Sequence, residues 1–140
     1  MRILVAEDDA VSRRVLEAVL QRMGHQCDVA EDGDRAWARM EQERYDVLIT
    51  DWMMPGLAGP DLCRKVRETS GDACYVIMLT ALSGEAHVRS AMDAGADDFL
   101  TKPLDRNQLA MRLAVAERLH TLRARVIELE TPLKSPIPGE

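Results

Sequence analysis

The sequence has no excess of basic residues: 18 Lys and Arg stand against 24 Asp and Glu, for a formal net charge of −6 in 140 residues. Non-specific nucleic-acid binders carry a basic footprint, so this balance argues against that class. Cysteine is scarce as well. Cys27, Cys63 and Cys74 show no CxxC spacing and fall inside apolar segments. They read as small core hydrophobes in a reducing compartment, not as a disulfide framework, a redox pair or a metal site. No apolar run approaches the ~20 residues of a membrane helix. Met1-Arg2 leads straight into Ile3-Leu4-Val5 without the apolar core of a signal peptide. The expectation is a cytoplasmic protein with no membrane and no direct nucleic-acid partner. Internal repeats and runs of like charge are also missing, and the one composition shift is the Pro-rich end, residues 131–140. The length suits one domain with a full core.

What is present alternates. Ile3-Leu4-Val5-Ala6 is a short apolar strand ending in Glu7-Asp8-Asp9. From Ala10 to Met23 an apolar stripe of Val11, Val15, Ala18 and Val19, widened by Leu16 and Leu20, has helical spacing, and Gly24 follows as a C-terminal cap. Cys27–Ala30 is a weak second strand, and Asp32 caps a helix carrying Ala36, Trp37 and Met40. Val47-Leu48-Ile49 has the continuous apolar pattern of a strand buried on both faces; it stops at Asp51, before the turn signal Pro55-Gly56. Gly59-Pro60 opens a helix with Leu62 and Val66 inward. Tyr75–Leu79 is a fourth strand ending at Thr80, and Ser83 can cap a helix with Val88, Ala91 and Met92 that Gly95 closes. Asp98–Thr101 is a fifth strand, ending at Lys102-Pro103, and Asp105 with Gln108 starts a last, long helix. Five strands alternating with helices make a doubly wound α/β sheet.

In such a sheet the carboxyl ends of the strands lie side by side, where ligands bind. Strand one delivers Glu7 and Asp8, strand three Asp51, strand four Thr80 and strand five Lys102. Clustered carboxylates repel one another unless a cation sits among them. Oxygen-only ligands at a watery rim suit Mg²⁺. A hydroxyl and an ammonium beside that cation are what a phosphoryl group requires, with Asp51 as the nucleophile that forms an acyl phosphate. Singly, each residue has a plain alternative: a helix cap for Glu7 or Asp8, a strand end for Thr80, a surface charge for Lys102. Jointly they point to phosphoryl chemistry.

The motifs that carry this pattern are Ile3–Asp9, Asp51-Trp52-Met53-Met54-Pro55-Gly56 with Gly59, Leu79-Thr80-Ala81, Ala94–Phe99 and Lys102-Pro103. Together they resemble the receiver domain of two-component response regulators, over residues 1 to about 120. The resemblance implies a flavodoxin-like fold with strand order 2-1-3-4-5, the order the chemotaxis receiver is known for. It implies Mg²⁺-dependent phosphorylation of Asp51 by a histidine kinase or phosphotransfer protein docking near Val11, Arg14 and Val15. Asp8 would bind the metal directly, Glu7 through water, and the backbone carbonyl of Met53 would complete the protein ligands. Lys102-Pro103 would be a cis peptide. Thr80 and Phe99 would form the switch, Phe99 swinging inward as Thr80 moves, against the alternative of a permanently buried Phe99. Met53 and Leu82 depart from the polar residues that position hydrolytic water in well-known members, which implies slow self-dephosphorylation.

Two rival chemistries lose on residues. A haloacid-dehalogenase-like phosphohydrolase needs an acid two residues past its nucleophile, and Met53 stands there. A flavodoxin would need a phosphate cradle of Gly, Ser and Thr where this chain has Glu-Asp-Asp. A degenerate receiver serving only as a docking or dimerisation module is the remaining alternative, set against a pocket in which every position is filled. The chain is thus expected to accept a phosphoryl group for signalling and not to turn over external substrates, acting on an output domain or protein. Val115, Leu119, Leu122, Val126 and Leu129 follow the 4-3-4-3 spacing of a coiled-coil seam, which points to a homodimer through the last helix, against the alternative of a stripe that folds back on its own domain or frays. The expected divisions are a receiver over 1–120, a helical extension over 121–130 ended by Thr131-Pro132, and a flexible tail over 131–140.

Overall fold

A computed structural model of the chain describes residues 1–81 and 85–134. The elements run β1 (Arg2–Ala6), α1 (Ala10–Arg22), β2 (Gln26–Ala30), α2 (Gly33–Gln42), β3 (Val47–Asp51), α3 (Gly59–Ser70), β4 (Tyr75–Thr80), α4 (Glu85–Asp93), β5 (Asp98–Thr101) and α5 (Arg106–Lys134). All strand pairs are parallel, in the order β2-β1-β3-β4-β5. β3 is central and buried along its whole length, which is why its sequence is a continuous apolar run without alternation.

Side chains alternate across the sheet and divide the core in two. Leu4, Leu48, Val76 and Met78 face Ala36 of α2, Leu62, Cys63 and Val66 of α3 and Ala91 of α4. Ile3, Val5, Ile49, Ile77 and Leu100 face Leu16, Val19 and Leu20 of α1 and Leu109, Leu113 and Ala116 of α5. The cysteines belong to these layers: Cys63 and Cys74 are buried and Cys27 packs against the second cluster. Burial pushes the thiols of Cys27 and Cys74 up to about 12 and that of Cys63 to about 11, so they are inert packing groups near neutral pH.

Helix ends follow local chemistry. Asp9 caps α1 by accepting from the Ser12 amide at 2.9 Å, and Asp32 caps α2 through the Arg35 amide at 2.7 Å. Pro60 stands in the first turn of α3. Asp105 accepts from the amides of Asn107 and Gln108 at the start of α5. Gly24 and Gly95 take positive φ after α1 and α4.

Two expectations need correction. The α1 stripe divides: Leu16, Val19 and Leu20 reach the core, while Val11 and Val15 are 70% and 45% exposed and Ala18 is exposed. Spacing alone makes 11, 15 and 18 a helix face, but the sheet takes the adjacent face, which carries the two leucines. The last helix also does not stop at Thr131-Pro132; α5 runs on to Lys134. Proline's fixed φ is helical, and one lost backbone bond near a helix end does not force a stop. Of the proposed tail, 135–140 lie outside the described residues, as do Leu82 and the Ser83 cap. Among the described residues no helix is long and apolar enough to cross a membrane.

Candidate functional site

Alternation also decides which side chains meet at the carboxyl edge. Continuing Ile3-Val5, Val47-Ile49 and Leu100 by two residues brings Glu7, Asp51 and Lys102 to the same side of the sheet, the side of α1 and α5. Ala6 pairs with Thr50 in register, so Glu7 and Asp51 leave their strands abreast. Thr80 continues Val76-Met78 and falls on the other side, toward α4.

The resulting contacts are short. Lys102 Nζ donates to Glu7 Oε2 at 3.1 Å and to Asp51 Oδ2 at 3.3 Å. Glu7 is only 1% exposed and Asp51 9%. Asp8 stands at the exposed rim, and ligand oxygens of Glu7, Asp8 and Asp51 all lie within 4.8 Å of one another. Burial, then the charge of Asp51, raises the proton affinity of Glu7 above the ordinary carboxylate range; Lys102 and the Asp9 amide oppose the rise. For Lys102, burial pulls down, but the hydrogen bond to Glu7 and the charges of Asp51 and Glu7 outweigh it, so its proton is held more tightly than usual.

That electrostatic state fits a cation. One ammonium does not neutralise three carboxylates, and the donor set is all oxygen with a solvent-facing rim. Glu7, Asp8 and Asp51 are therefore the residues that could hold a hard divalent ion.

The loop after β3 is built close around Asp51. The amide of Trp52 donates both to Asp51 Oδ1 at 2.9 Å and to the Leu79 carbonyl at 3.0 Å, fixing one carboxylate oxygen. Gly59 donates to the Trp52 carbonyl at 2.8 Å, and a Cβ there would lie 2.3 Å from the Asp51 carbonyl oxygen. Only glycine lets α3 begin this near the site. Met53 lies two residues beyond Asp51 and is 69% exposed.

Thr80 is buried at the end of β4 and pairs in register with Thr101. Phe99, two residues before Thr101, pairs with Met78 and is half-buried against the cluster under α2, α3 and α4. Thr80 and Phe99 thus share one face of the sheet. The Lys102-Pro103 peptide is cis.

The structure brings together Glu7, Asp8, Asp51 and Lys102, with Thr80 on the neighbouring strand. Sequence reading gave no role to Asp9 or Trp52. Both act on the site through backbone amides, Asp9 donating to Glu7 Oε1 at 3.2 Å, and a backbone donor leaves no mark in residue type.

Known proteins resemble this chain in sequence and in fold. Residues 3–114 match the family model for the response regulator receiver domain. Response regulator RppA of Synechocystis is 40% identical over 120 residues, covering 84% of this chain and 51% of RppA. The chain spans about half the length of the curated relatives it matches. Among solved structures, the receiver domain of Francisella response regulator 1452 is 32% identical with a TM-score of 0.79, over 84% of this chain and 96% of that one. Response regulator TrrA of Thermotoga maritima is 32% identical with a TM-score of 0.74, over 82% and 97%. A family match across most of the chain, a shared strand order and a filled carboxyl-edge pocket agree: this chain belongs to the response regulator receiver domain family.

Proposed function

We propose that Asp51 is the phosphoacceptor of a Mg²⁺-dependent receiver, phosphorylated by a histidine kinase or phosphotransfer protein. The observation that carries this is the Lys102 ammonium lying between Glu7 and Asp51 in a cluster of three carboxylates. Glu7, Asp8, Asp51 and the Met53 carbonyl would hold the ion, which neutralises carboxylate and phosphoryl charge when bound. The TrrA structure is of a complex with Mg²⁺ and a beryllium fluoride, which supports extending this ligand chemistry to the present pocket.

The remaining steps belong to the chain's own residues. A carboxylate oxygen of Asp51 attacks the donor phosphorus; the phosphorus–nitrogen bond of a phosphohistidine breaks and its electron pair returns to the imidazole. Lys102 stays protonated and pairs with a phosphoryl oxygen, and the hydroxyl of Thr80 donates to another. Thr80 moving toward the phosphoryl group opens room on the face it shares with Phe99, so that ring swings inward and alters the surface around α4, β5 and α5. The chain promotes its own phosphorylation and slow hydrolysis, without turnover of external substrates, and passes the change to an output domain or protein. Val11 and Val15, exposed on α1 with Arg14 between them, suit the docking of the phosphodonor.

A second element is homodimerisation through α5. Val115, Leu119, Leu122, Val126 and Leu129 are 37–71% exposed along one side of this helix. The buried residues Leu109, Leu113 and Ala116 already dock the helix on its own sheet, so the seam is left for another surface. A docking module that works without phosphorylation would give the filled pocket no role. A Phos-tag gel after acetyl phosphate and Mg²⁺ separates the two: a shift abolished by EDTA supports the phosphoacceptor, and an unmodified protein supports the docking module.

A further inference from the structure

We propose that Arg13, in the first turns of α1, is a positioning residue for the cation pocket: its guanidinium holds the backbone bend that sets the carboxylate of Asp8 beside that of Glu7. This rests on Glu7, Asp8 and Asp51 being a Mg²⁺ site.

Arg13 Nη1 donates to the carbonyl of Glu7 at 2.9 Å and to that of Asp8 at 3.3 Å. In an extended strand successive carbonyls point in opposite directions. Two of them converging on one nitrogen means that the chain has turned, and β1 does end at Ala6. Strand alternation already carries Glu7 inward, its amide still bonded to the Ala30 carbonyl of β2 at 3.1 Å and its carboxylate held by Lys102 and the Asp9 amide. The turn that follows leaves Asp8 at the exposed rim. Among the described residues no side chain or amide holds the Asp8 carboxylate. Its direction is therefore set by its own backbone, and Arg13 is the side chain fixing that backbone.

The guanidinium has two effects of opposite sign. As a positive charge beside the pocket it opposes a divalent ion, so its removal would tighten Mg²⁺ binding. As the clamp on two carbonyls it preorganises the ligands, so its removal would weaken binding. Groups that orient metal ligands are worth ~10–100-fold in affinity, more than a solvent-screened charge contributes. Positioning should dominate.

The test is a Mg²⁺ titration at fixed ionic strength, read by Trp52 fluorescence in a Trp37→Phe background. Arg13→Ala should weaken Mg²⁺ binding about tenfold, and Arg13→Lys, which keeps a donor and the charge, should recover most of it. At saturating Mg²⁺ the extent of phosphorylation by acetyl phosphate should return to the wild-type level, because Arg13 touches no reacting atom. Melting in EDTA checks the fold; if the alanine variant does not fold, Arg13→Met keeps the aliphatic stem and faces the same criterion. Unchanged or tighter binding in the neutral variant overturns the role of Arg13 while leaving the metal pocket intact. A wild-type protein that gives no Mg²⁺ response overturns the pocket and this role with it.

Discussion

Lys102 and Asp51 are 51 positions apart in the chain, yet Nζ lies 3.3 Å from Oδ2. This ion pair joins the end of β5 to the end of β3 across the intervening strand β4. It places the only ammonium among the described pocket residues where a cation bound by the carboxylates must also act. Lysine and metal therefore compete for charge while cooperating on a phosphoryl group. Lys102→Ala should tighten Mg²⁺ binding, since a competing positive charge is gone, yet slow acyl phosphate formation by at least about tenfold through loss of electrostatic stabilisation. Mg²⁺ titration together with the initial rate of modification by acetyl phosphate checks both signs.

Metal should stabilise the fold by mass action, by ~2.7 kcal/mol at a free concentration one hundred times Kd. The melting temperature should rise with Mg²⁺, and Asp8→Asn should blunt the rise. The same substitution removes repulsion from the metal-free pocket, so in EDTA the variant should melt no lower than wild type. A wild-type melting temperature indifferent to Mg²⁺ would count against the site.

Glu7 adds a pH dependence. Burial and the charge of Asp51 raise its pKa in the folded state. A carboxyl raised on folding contributes stability below its unfolded pKa and loses that contribution as pH rises through the raised value. The metal-free protein should thus lose stability as pH climbs past the ordinary carboxylate range, and Glu7→Gln should flatten that decline. Lys102, also raised, contributes at every pH below the ordinary lysine range and does not obscure the window. Mg²⁺ requires the ionised carboxylate, so its affinity should fall on acidification over the same interval. Chemical denaturation from pH 4 to pH 8 (on the order of the window set by ordinary carboxylates and neutrality), with EDTA or Mg²⁺, measures all three.

Much of this was legible in the sequence because the informative residues stand at strand ends. The continuous apolar run of β3 announced burial on both faces, and period-two alternation carries Glu7, Asp51 and Lys102 to one side. The faces of α1 were less legible: Val11 and Leu16 are equally apolar, and only contact with the sheet separates the exposed one from the buried one. The run of α5 through Pro132 was obscured for a related reason, since proline's preferences are local statistics and a helix end is set by the whole last turn. Arg13 was invisible because it works on carbonyls, and every residue has one.

The phosphorylated state should be long-lived, because Met53, exposed two residues past Asp51, is apolar and offers no hydrogen bond to attacking water. Met53→Asn combined with Leu82→Glu should shorten the lifetime, by about tenfold if the new groups orient water as general catalysts do. Decay of the phosphorylated mass after removal of the donor is the readout; an unchanged half-life in the double variant defeats the idea.

The α5 seam predicts self-association. Burying an apolar side chain of this size is worth ~1.5–3 kcal/mol, so five exposed positions supply enough area for a helix pair while two charges in the middle would abolish it. Sedimentation should show a wild-type dimer at high micromolar concentration (on the order of the weak-to-moderate affinities a short helix pair supports) and a monomer for Leu122→Glu with Val126→Glu. A wild-type monomer, or a dimer untouched by the two glutamates, excludes this seam.

Intact-protein mass spectrometry after acetyl phosphate and Mg²⁺ tests most directly whether Asp51 receives the phosphoryl group. The wild type should gain the mass of one phosphoryl group, and Asp51→Asn should gain none, because an amide forms no acyl phosphate. Stoichiometric modification of the Asn variant at another residue, or no modification of the wild type, would contradict the assignment.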